Sequence, residues 1–257
     1  MKFKVSSGDL LKQLQLAGGV IASKPVLPIL EDFLFTLSPG RLQIAATDLE
    51  TTIITDMPLT EVEGAGAVAV PARILLDTLK ALPEQPLAFE IDETHFSIQI
   101  TSNLGKYRLA GENGSDYPKI PEAESVESLT LPSSLLSKAI GKTLFAASND
   151  ELRPAMTGIY VQVENNTIRF VATDAHKLVR YTFQTDEKEL VDSFIVPKKS
   201  FQLLKSALND EGDVQLSFNN SNAFFEFDDI QVICRLVDAK YPDYQAVIPV
   251  DNPNLLS

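Results

Sequence analysis

Asp174 and His176 stand two residues apart, a spacing that puts both side chains on one face of an extended segment. A carboxylate beside an imidazole is the pairing used in general acid-base catalysis or in part of a metal site. The rest of the chain completes neither arrangement. No Ser, Cys or third carboxylate stands at a recognised catalytic spacing. The matching stretch upstream carries Asp48 and Glu50, and two histidines with one cysteine leave little material for zinc. The expectation is a protein that is not an enzyme, with no metal and no cofactor.

A second set of residues points to polyanions. Four segments, Ser7 to Lys24, Pro71 to Leu82, Ser133 to Ser148 and Pro197 to Leu208, read as helices from their apolar spacing and start signals. They hold nine basic residues, Lys12, Lys24, Arg73, Lys80, Lys138, Lys142, Lys198, Lys199 and Lys205, against two acidic ones, Asp9 and Asp77. None is Glu, although Glu forms helices as readily as Lys. The whole chain carries a net charge of -13, so its strands and loops are more acidic still. Basic helices on an acidic body attract a polyanion to one surface only. Few of these side chains are the Arg, Asn or Gln that read base edges, and no aromatic residue interleaves them. The expected contact is therefore with phosphates, without sequence readout or single-strand stacking.

The elements that must position these groups come in two copies. Ala172-Thr173-Asp174 repeats Ala46-Thr47-Asp48 at an interval of 126. In the same register Pro28 falls on Pro154, Leu42 on Ile168, Ile44 on Phe170, Val70-Pro71 on Val196-Pro197 and Leu82 on Leu208. Tyr117-Pro118 pairs with Tyr241-Pro242 at 124, as loop lengths drift. Matches of this kind over a domain length mean duplication. We expect domains at 1–125 and 126–250, with 251–257 as the start of a truncated third, Leu255 matching Leu129.

Within each copy the pattern reads strand, helix, several strands, helix, three strands. Strands are expected at 33–37, 41–45, 51–54, 67–70, 87–91, 96–100 and 107–109, and in the second copy at 129–131, 158–164, 167–172, 179–185, 214–218, 223–227 and 232–236. Pro71 suits a first helical turn. Glu112 to Glu127, acidic with Gly114, Pro118 and Pro121, reads as a linker without a core strand. The fold class is α+β, with two helices on one face of antiparallel sheets in each domain.

A hydrophobic content of 44% with 22% charged residues is that of a soluble protein. No apolar run reaches the length of a membrane span, and no leader opens the chain, so the expected location is cytoplasmic, with no membrane partner. Cys234, the sole cysteine, sits in an apolar stretch and suits a reducing compartment.

With these motifs in hand, the sequence resembles the bacterial sliding clamp, the β subunit of DNA polymerase III. The resemblance rests on Met1-Lys2-Phe3, Leu10-Leu11, Lys24-Pro25-Val26-Leu27-Pro28-Ile29-Leu30, Ala46-Thr47-Asp48-Leu49-Glu50 and Val70-Pro71-Ala72-Arg73. It continues through Val171 to His176, Ile195-Val196-Pro197, Leu236-Val237-Asp238 and Tyr241-Pro242-Asp243-Tyr244. It implies the DNA clamp fold and a processivity factor of DNA replication. Two three-domain subunits form a homodimer ring around double-stranded DNA, with helices lining the hole. Implied partners are the DNA polymerase III α subunit, the clamp loader and other clamp-motif proteins. The family's DNA contacts map onto Lys24, Arg73, Asn149 and Lys199. Its peptide pocket maps onto Met156, Thr173, Ala175, His176, Lys177, Leu178, Pro242 and Val247, and its dimer edge onto Tyr107 and Leu109. Lys24 and Asn149, 125 apart, mark equivalent loop ends. Without a third domain the family's two-subunit ring is not expected to close. A non-catalytic scaffold or peptide-binding module unrelated to DNA is the alternative, and it would show neither salt-sensitive DNA binding nor clamp-motif peptide binding.

Overall fold

A computed structural model of the chain describes residues 1–164, 166–185, 190–249 and 251. The first repeat contains β1 (Lys2–Ser6), α1 (Ser7–Ala17), β2 (Asp32–Ser38), β3 (Arg41–Thr47), β4 (Thr51–Pro58), β5 (Val62–Glu63), β6 (Gly66–Pro71) and α2 (Ala72–Ala81), then β7 (Pro86–Ile91), β8 (Ser97–Ser102), β9 (Gly105–Ala110) and β10 (Glu112–Asn113). The second contains β11 (Glu127–Pro132), α3 (Ser133–Thr143), β12 (Gly158–Glu164), β13 (Thr167–Thr173), β14 (Leu178–Gln184), β15 (Asp192–Pro197) and α4 (Lys198–Ala207), then β16 (Asp213–Phe218), β17 (Asn222–Phe227) and β18 (Ile230–Arg235).

The helices form because each buries one stripe and starts on a usable cap. The hydroxyl of Ser6 accepts a hydrogen bond from the Asp9 amide at 3.4 Å, and α1 then buries Ser7, Leu10, Leu14 and Ala17. α2 buries Ala72, Leu75 and Leu79. Each leucine so removed from water contributes about 1.5–3 kcal/mol. α1 lies on β3 and β4, α2 on β2 and β6, and the two helices touch; in the second repeat α3 lies on β13 and β14, α4 on β15, and α3 packs against α4. Both helices of each repeat therefore cover one sheet face, as the α+β reading expects.

Antiparallel pairing reproduces the 126-residue interval residue by residue. Asp32 faces Pro71 and Gly158 faces Pro197; Leu37 faces Leu42 and Val163 faces Ile168; Thr47 faces Thr52 and Thr173 faces Leu178. A one-residue slip would invert every buried face, so the shared register carries the duplication at the level of the fold.

By packing, the described chain divides into two compact units, one of residues 1–128, 214–217 and 224–234, the other of 129–213, 218–223 and residues from 235 onward. In the first, β18 pairs antiparallel with β4, Cys234 opposite Thr51 and Ile230 opposite Thr55. The strand order there runs β10-β6-β2-β3-β4-β18, with a second sheet β5-β1-β7-β8-β9. The second unit holds the sheet β14-β13-β12-β15.

Several elements differ from expectation. The segment after Glu112 is no bare linker: Glu112–Asn113 forms β10 on β6, and Ile120 and Val126 pack on the cluster Ala45, Ile54, Phe224 and Ile233. Helix α3 stops at Thr143 and a 3-10 turn follows to Ala146. Pro71 and Pro197 are the caps of α2 and α4, and they also end β6 and β15. Strand β15 carried no expectation of its own. Residues 252–257, where a third repeat was expected to begin, lie outside the described residues.

Two buried polar groups in the first unit are stability liabilities. The Thr55 hydroxyl is buried with no hydrogen-bond partner. Replacement by Val keeps the shape and removes that unmet donor, so Thr55→Val should raise the denaturant midpoint by about 1 kcal/mol of stability. Asp32, 7% exposed, has its pKa pushed from 3.8 to about 6 by burial, then by Glu112 and Glu31. The folded state thus holds this proton more tightly than the unfolded chain. The stabilisation is complete below about pH 4 and is lost as pH rises through about 6. Asp32→Asn should raise the melting temperature at pH 8 and leave it unchanged near pH 4.

Candidate nucleic-acid and peptide interfaces

The basic residues point away from the buried stripes. On α1, Lys12 is exposed while Leu10 and Leu14 are buried; on α2, Arg73, Asp77 and Lys80 follow at four- and three-residue steps on the outer side. Lys138 and Lys142 share the outer side of α3, with Lys142 in the last turn. On α4, Lys199 and Lys205 are exposed while Phe201 and Leu204 are buried. The four helices carry eight basic residues against Asp9 and Asp77. Lys24 lies in the loop after α1 and is exposed.

Lys198 differs from the others. It is half-buried, and its ammonium donates to the Ala147 carbonyl at 3.3 Å and to Asn149 Oδ1 at 2.8 Å. Two expected DNA contacts, Lys198 and Asn149, are thereby joined, with the lysine holding the loop that displays the asparagine. Pairing puts Lys24 level with Asp150 and not with Asn149, because the turns Pro28–Glu31 and Pro154–Thr157 are 126 apart. Asp150 bonds the Leu152 amide and Arg153, which hold its pKa low. In the second unit Lys205 Nζ would lie 2.9 Å from a Cβ at Gly141. Glycine there lets that ammonium cross α3, a closeness that the charge pattern did not reveal.

The Asp174–His176 pair dissolves on inspection. The segment is a turn, with Ala175 at φ 73°, and not an extended strand. Asp174 Oδ1 accepts the amides of His176 and Lys177, both at 3.0 Å, and Oδ2 accepts the Lys177 ammonium. These bonds, the lysine's first, hold the Asp174 carboxyl well below the usual range. It is committed to the turn and leaves the exposed imidazole free of it. Thr173 Oγ1 donates to the Lys177 carbonyl at 2.8 Å and accepts the Ala175 amide at 3.1 Å.

This turn lies beside an aromatic cluster in the second unit. Val171, Ile195, Tyr241 and Tyr244 form its buried centre, with Ala155, Tyr160, Leu178, Val237 and Ile248 packed on it. Tyr160 stacks on Tyr241 with centroids 4.6 Å apart, and Tyr244 meets Tyr160 edge-on. Tyr244 donates to Gln162 Oε1 at 2.8 Å and Tyr241 to the Val171 carbonyl at 3.4 Å. Some of the expected peptide residues border this cluster or adjoin residues that do. Leu178 packs directly, Thr173 is buried at the end of β13, and half-buried Pro242 follows Tyr241. Met156 follows Ala155, and Val247, 68% exposed, precedes Ile248. Ala175, His176 and Lys177 are exposed residues of the turn that leads into Leu178. The tyrosines themselves were not expected at the site. The Tyr-Pro match between repeats marked Tyr241, but nothing in the sequence gave it a neighbour.

Tyr107 and Leu109 lie on β9, the end strand of its sheet, Tyr107 half-buried and Leu109 8% exposed. Among the described residues, no group of three or more His, Cys, Asp or Glu side chains is placed to hold a metal ion, and no helix is long and apolar enough to cross a membrane.

Residues 1–121 match the family model for the N-terminal domain of the DNA polymerase III beta subunit, and residues 130–243 match that for its central domain. A beta sliding clamp from Vibrio cholerae is 32% identical over 250 residues, covering 97% of this chain and 68% of that protein. The chain belongs to the bacterial β sliding-clamp family. The Escherichia coli beta sliding clamp is 31% identical over 259 residues, covering 99% of this chain and 69% of that clamp. Among solved clamps, that of Pseudomonas aeruginosa superposes with a TM-score of 0.93 at 27% identity over 98% of this chain and 69% of its own, and that of Bacillus subtilis with 0.92 at 26% over 98% and 68%. The DNA clamp fold is thus shared along nearly the whole chain, which spans just over two thirds of these clamps' length.

Proposed function

We propose that the chain works as a DNA sliding clamp that tethers a replicative polymerase and other clamp-motif proteins to duplex DNA without reading sequence. The observation that carries this reading is the outward basic side chains on each of the four helices of a chain with net charge -13, on a fold shared with sliding clamps. Lysines on flexible stems meet phosphates as point charges, and contacts that ignore base edges do not hold the protein at one site. The acidic remainder repels DNA from other surfaces. The protein on this reading is non-catalytic and cytoplasmic. Lys12, Lys24, Arg73, Lys80, Lys138, Lys142, Lys199 and Lys205 contact phosphate, and Lys198 with Asn149 forms one loop contact.

Partner peptides dock, on the same reading, at the turn 173–178 beside the aromatic cluster. An apolar surface rimmed by exposed polar residues suits a short peptide with hydrophobic anchors. Leu178 supplies apolar floor, and His176 and Lys177 supply the polar rim.

Two experiments test the halves separately. Duplex binding should fall with rising salt at a log-log slope of about -0.9 for every phosphate neutralised. Replacing Arg73, Lys138, Lys142 and Lys199 by Ala should weaken unrelated duplexes equally and flatten the slope by about one unit for each phosphate no longer neutralised. A salt-independent affinity overturns the DNA reading. For the peptide half, His176→Asp with Leu178→Asp should abolish binding of a clamp-motif peptide in calorimetry while leaving the DNA slope intact, and unchanged peptide affinity rejects the site.

A further inference from the structure

The two repeats carry one strand edge in a filled and in an unfilled form. In the first unit the outer edge of β6 takes β10, with Glu112 opposite Ala69 and Asn113 opposite Val68. The matching edge, 126 residues on, belongs to β15, the end strand of its sheet. There the crossing chain begins the same pairing, the Val237 amide donating to the Ile195 carbonyl, and leaves it at once, the Ala239 amide donating back to the Val237 carbonyl. The first repeat fills its edge with its own residues 112–113, so the filling of this edge is decided inside a repeat. Ile195 turns its carbonyl outward, and main-chain direction alternates along a strand, so the main-chain groups of Ser193 point outward too. The Ser193 amide donates to Asp192 Oδ1 at 2.6 Å, a carboxylate standing where a neighbouring strand would place a carbonyl. Beside this edge lies a cleft of about 410 Å³, bordered by Phe194, Phe218 and Tyr241, the carboxylates of Asp192 and Asp238 and the single cation of Lys240. Among the described residues neither carboxylate is in an ion pair.

We propose that this edge is a docking site for an extended segment of a partner protein, paired antiparallel with β15 and carrying a lysine or arginine opposite Asp192. The register follows from β10. Where Asn113 faces Val68 in the first repeat, the incoming segment faces Phe194 with an apolar residue, on the side of the Phe194 ring, which lies 4.5 Å from that of Phe218. Its next residue faces Ser193, and the cationic residue after that faces Asp192. The peptide carbonyl opposite Ser193 takes the serine amide from Asp192, and the carboxylate so released meets the cation. Two carboxylates against one lysine make a cationic side chain the better match. Main-chain bonds supply affinity, and the alternate side chains supply selectivity. The site shares Tyr241 with the cluster beside the turn 173–178, but no residue of that turn borders the cleft. It is therefore separate from the clamp-motif site, and its occupancy is measured without DNA.

The probe is a fluorescein-labelled peptide of residues 109–117, which contain β10. It carries Glu112→Gln and Asp116→Asn to remove its acids, Asn113→Leu to face Phe194 and Ser115→Lys to face Asp192. Fluorescence anisotropy with the full 257-residue chain should show saturable binding, and the variant with His176→Asp and Leu178→Asp should bind the peptide equally well. Ser115→Glu in place of Ser115→Lys should weaken binding about threefold, and so should Asp192→Lys in the protein against the lysine peptide. Combining the two reversed charges should restore the original affinity. A peptide with Gly114→Pro lacks the amide that the Ser193 carbonyl accepts, and it should bind about tenfold more weakly. Asp192 is exposed, and circular dichroism confirms that its variant is folded. No saturable binding, charge reversals that change nothing, a swap that restores nothing or a proline peptide that binds as well each overturns the proposal. Loss of binding in the His176→Asp, Leu178→Asp variant assigns the peptide to the turn 173–178 and overturns it equally.

Discussion

In each repeat one threonine hydroxyl, on Thr47 and on Thr173, donates to a backbone carbonyl four residues on and accepts the amide two residues on. The aspartate that follows accepts the next two amides. Four backbone groups of a tight turn are thus satisfied by two short side chains, which is how a non-glycine residue, Leu49 at φ 76° or Ala175 at 73°, is held in the left-handed region. The turn joins β3 to β4 and β13 to β14, strands whose two faces have different duties. In β4, Ile53, Thr55 and Met57 face the helices while Ile54 and Asp56 face away, Asp56 bonded to Arg41. A slip of one residue would exchange those sets, and the hydroxyl bonds form in one register only. The buried tyrosines of the Tyr-Pro pairs then close against the same region, Tyr117 donating to the Asp32 carbonyl and Tyr241 to that of Val171. Burial raises the Tyr117 phenol to about 12 and shifts Tyr241 in the same direction.

Because two side chains hold the turn, the residues between them are free to change. Leu49 and Glu50 became Ala175 and His176, and the bonds stayed the same within a few tenths of an ångström. The same separation of duties governs α4. Lys198 and Lys199 occupy its first turn, where no acidic residue stands and the helix dipole disfavours cations by roughly 0.3–1 kcal/mol each. Lys198 offsets this through its bonds to Ala147 and Asn149.

The repeat, the four helices and most strands of each copy were legible because they depend on local patterns: apolar spacing, prolines at helix starts and a repeated interval. The proposed peptide site was legible only as scattered positions, since Tyr160 on β12 meets Tyr241 and Tyr244 from some 80 residues further on, with no local trace. The Asp174–His176 pairing misled because period-two logic assumes an extended backbone, whereas Thr173 and Asp174 are turn formers whose side chains bond their own backbone. The structure's own Asp–His contact, Asp92 with His95 at 2.8 Å, lies in an exposed turn. The reading of 112–127 as linker failed for a related reason. Its acidic, proline-rich composition hid that Ile120 and Val126 pack on a sheet and that Glu112–Asn113 pairs with β6.

The point where the repeats part company is set by glycine. Gly111 lies so close to β6 that a Cβ there would stand 2.7 Å from the Ala69 carbonyl oxygen, and one at Gly114 would stand 2.6 Å from Ala67. The crossing chain can therefore lie flat and pair as β10. In the second repeat Leu236 replaces Gly111, and the link to the Tyr-Pro pair is one residue shorter. The Leu236 amide still bonds the Ser221 carbonyl and that of Val237 the Ile195 carbonyl, so the chain begins the same crossing. A leucine side chain cannot take the place of a glycine hydrogen against a carbonyl, and no counterpart of β10 forms among the described residues. What opens is a cleft of about 410 Å³ bordered by Tyr160, Ser193, Ile195, Leu236 and Tyr241. Two of those borders, Tyr160 and Tyr241, are the stacked rings of the aromatic cluster. In the second repeat a cleft thus borders the aromatic pair, with Tyr241 itself still buried, whereas in the first the crossing chain pairs on the sheet as β10.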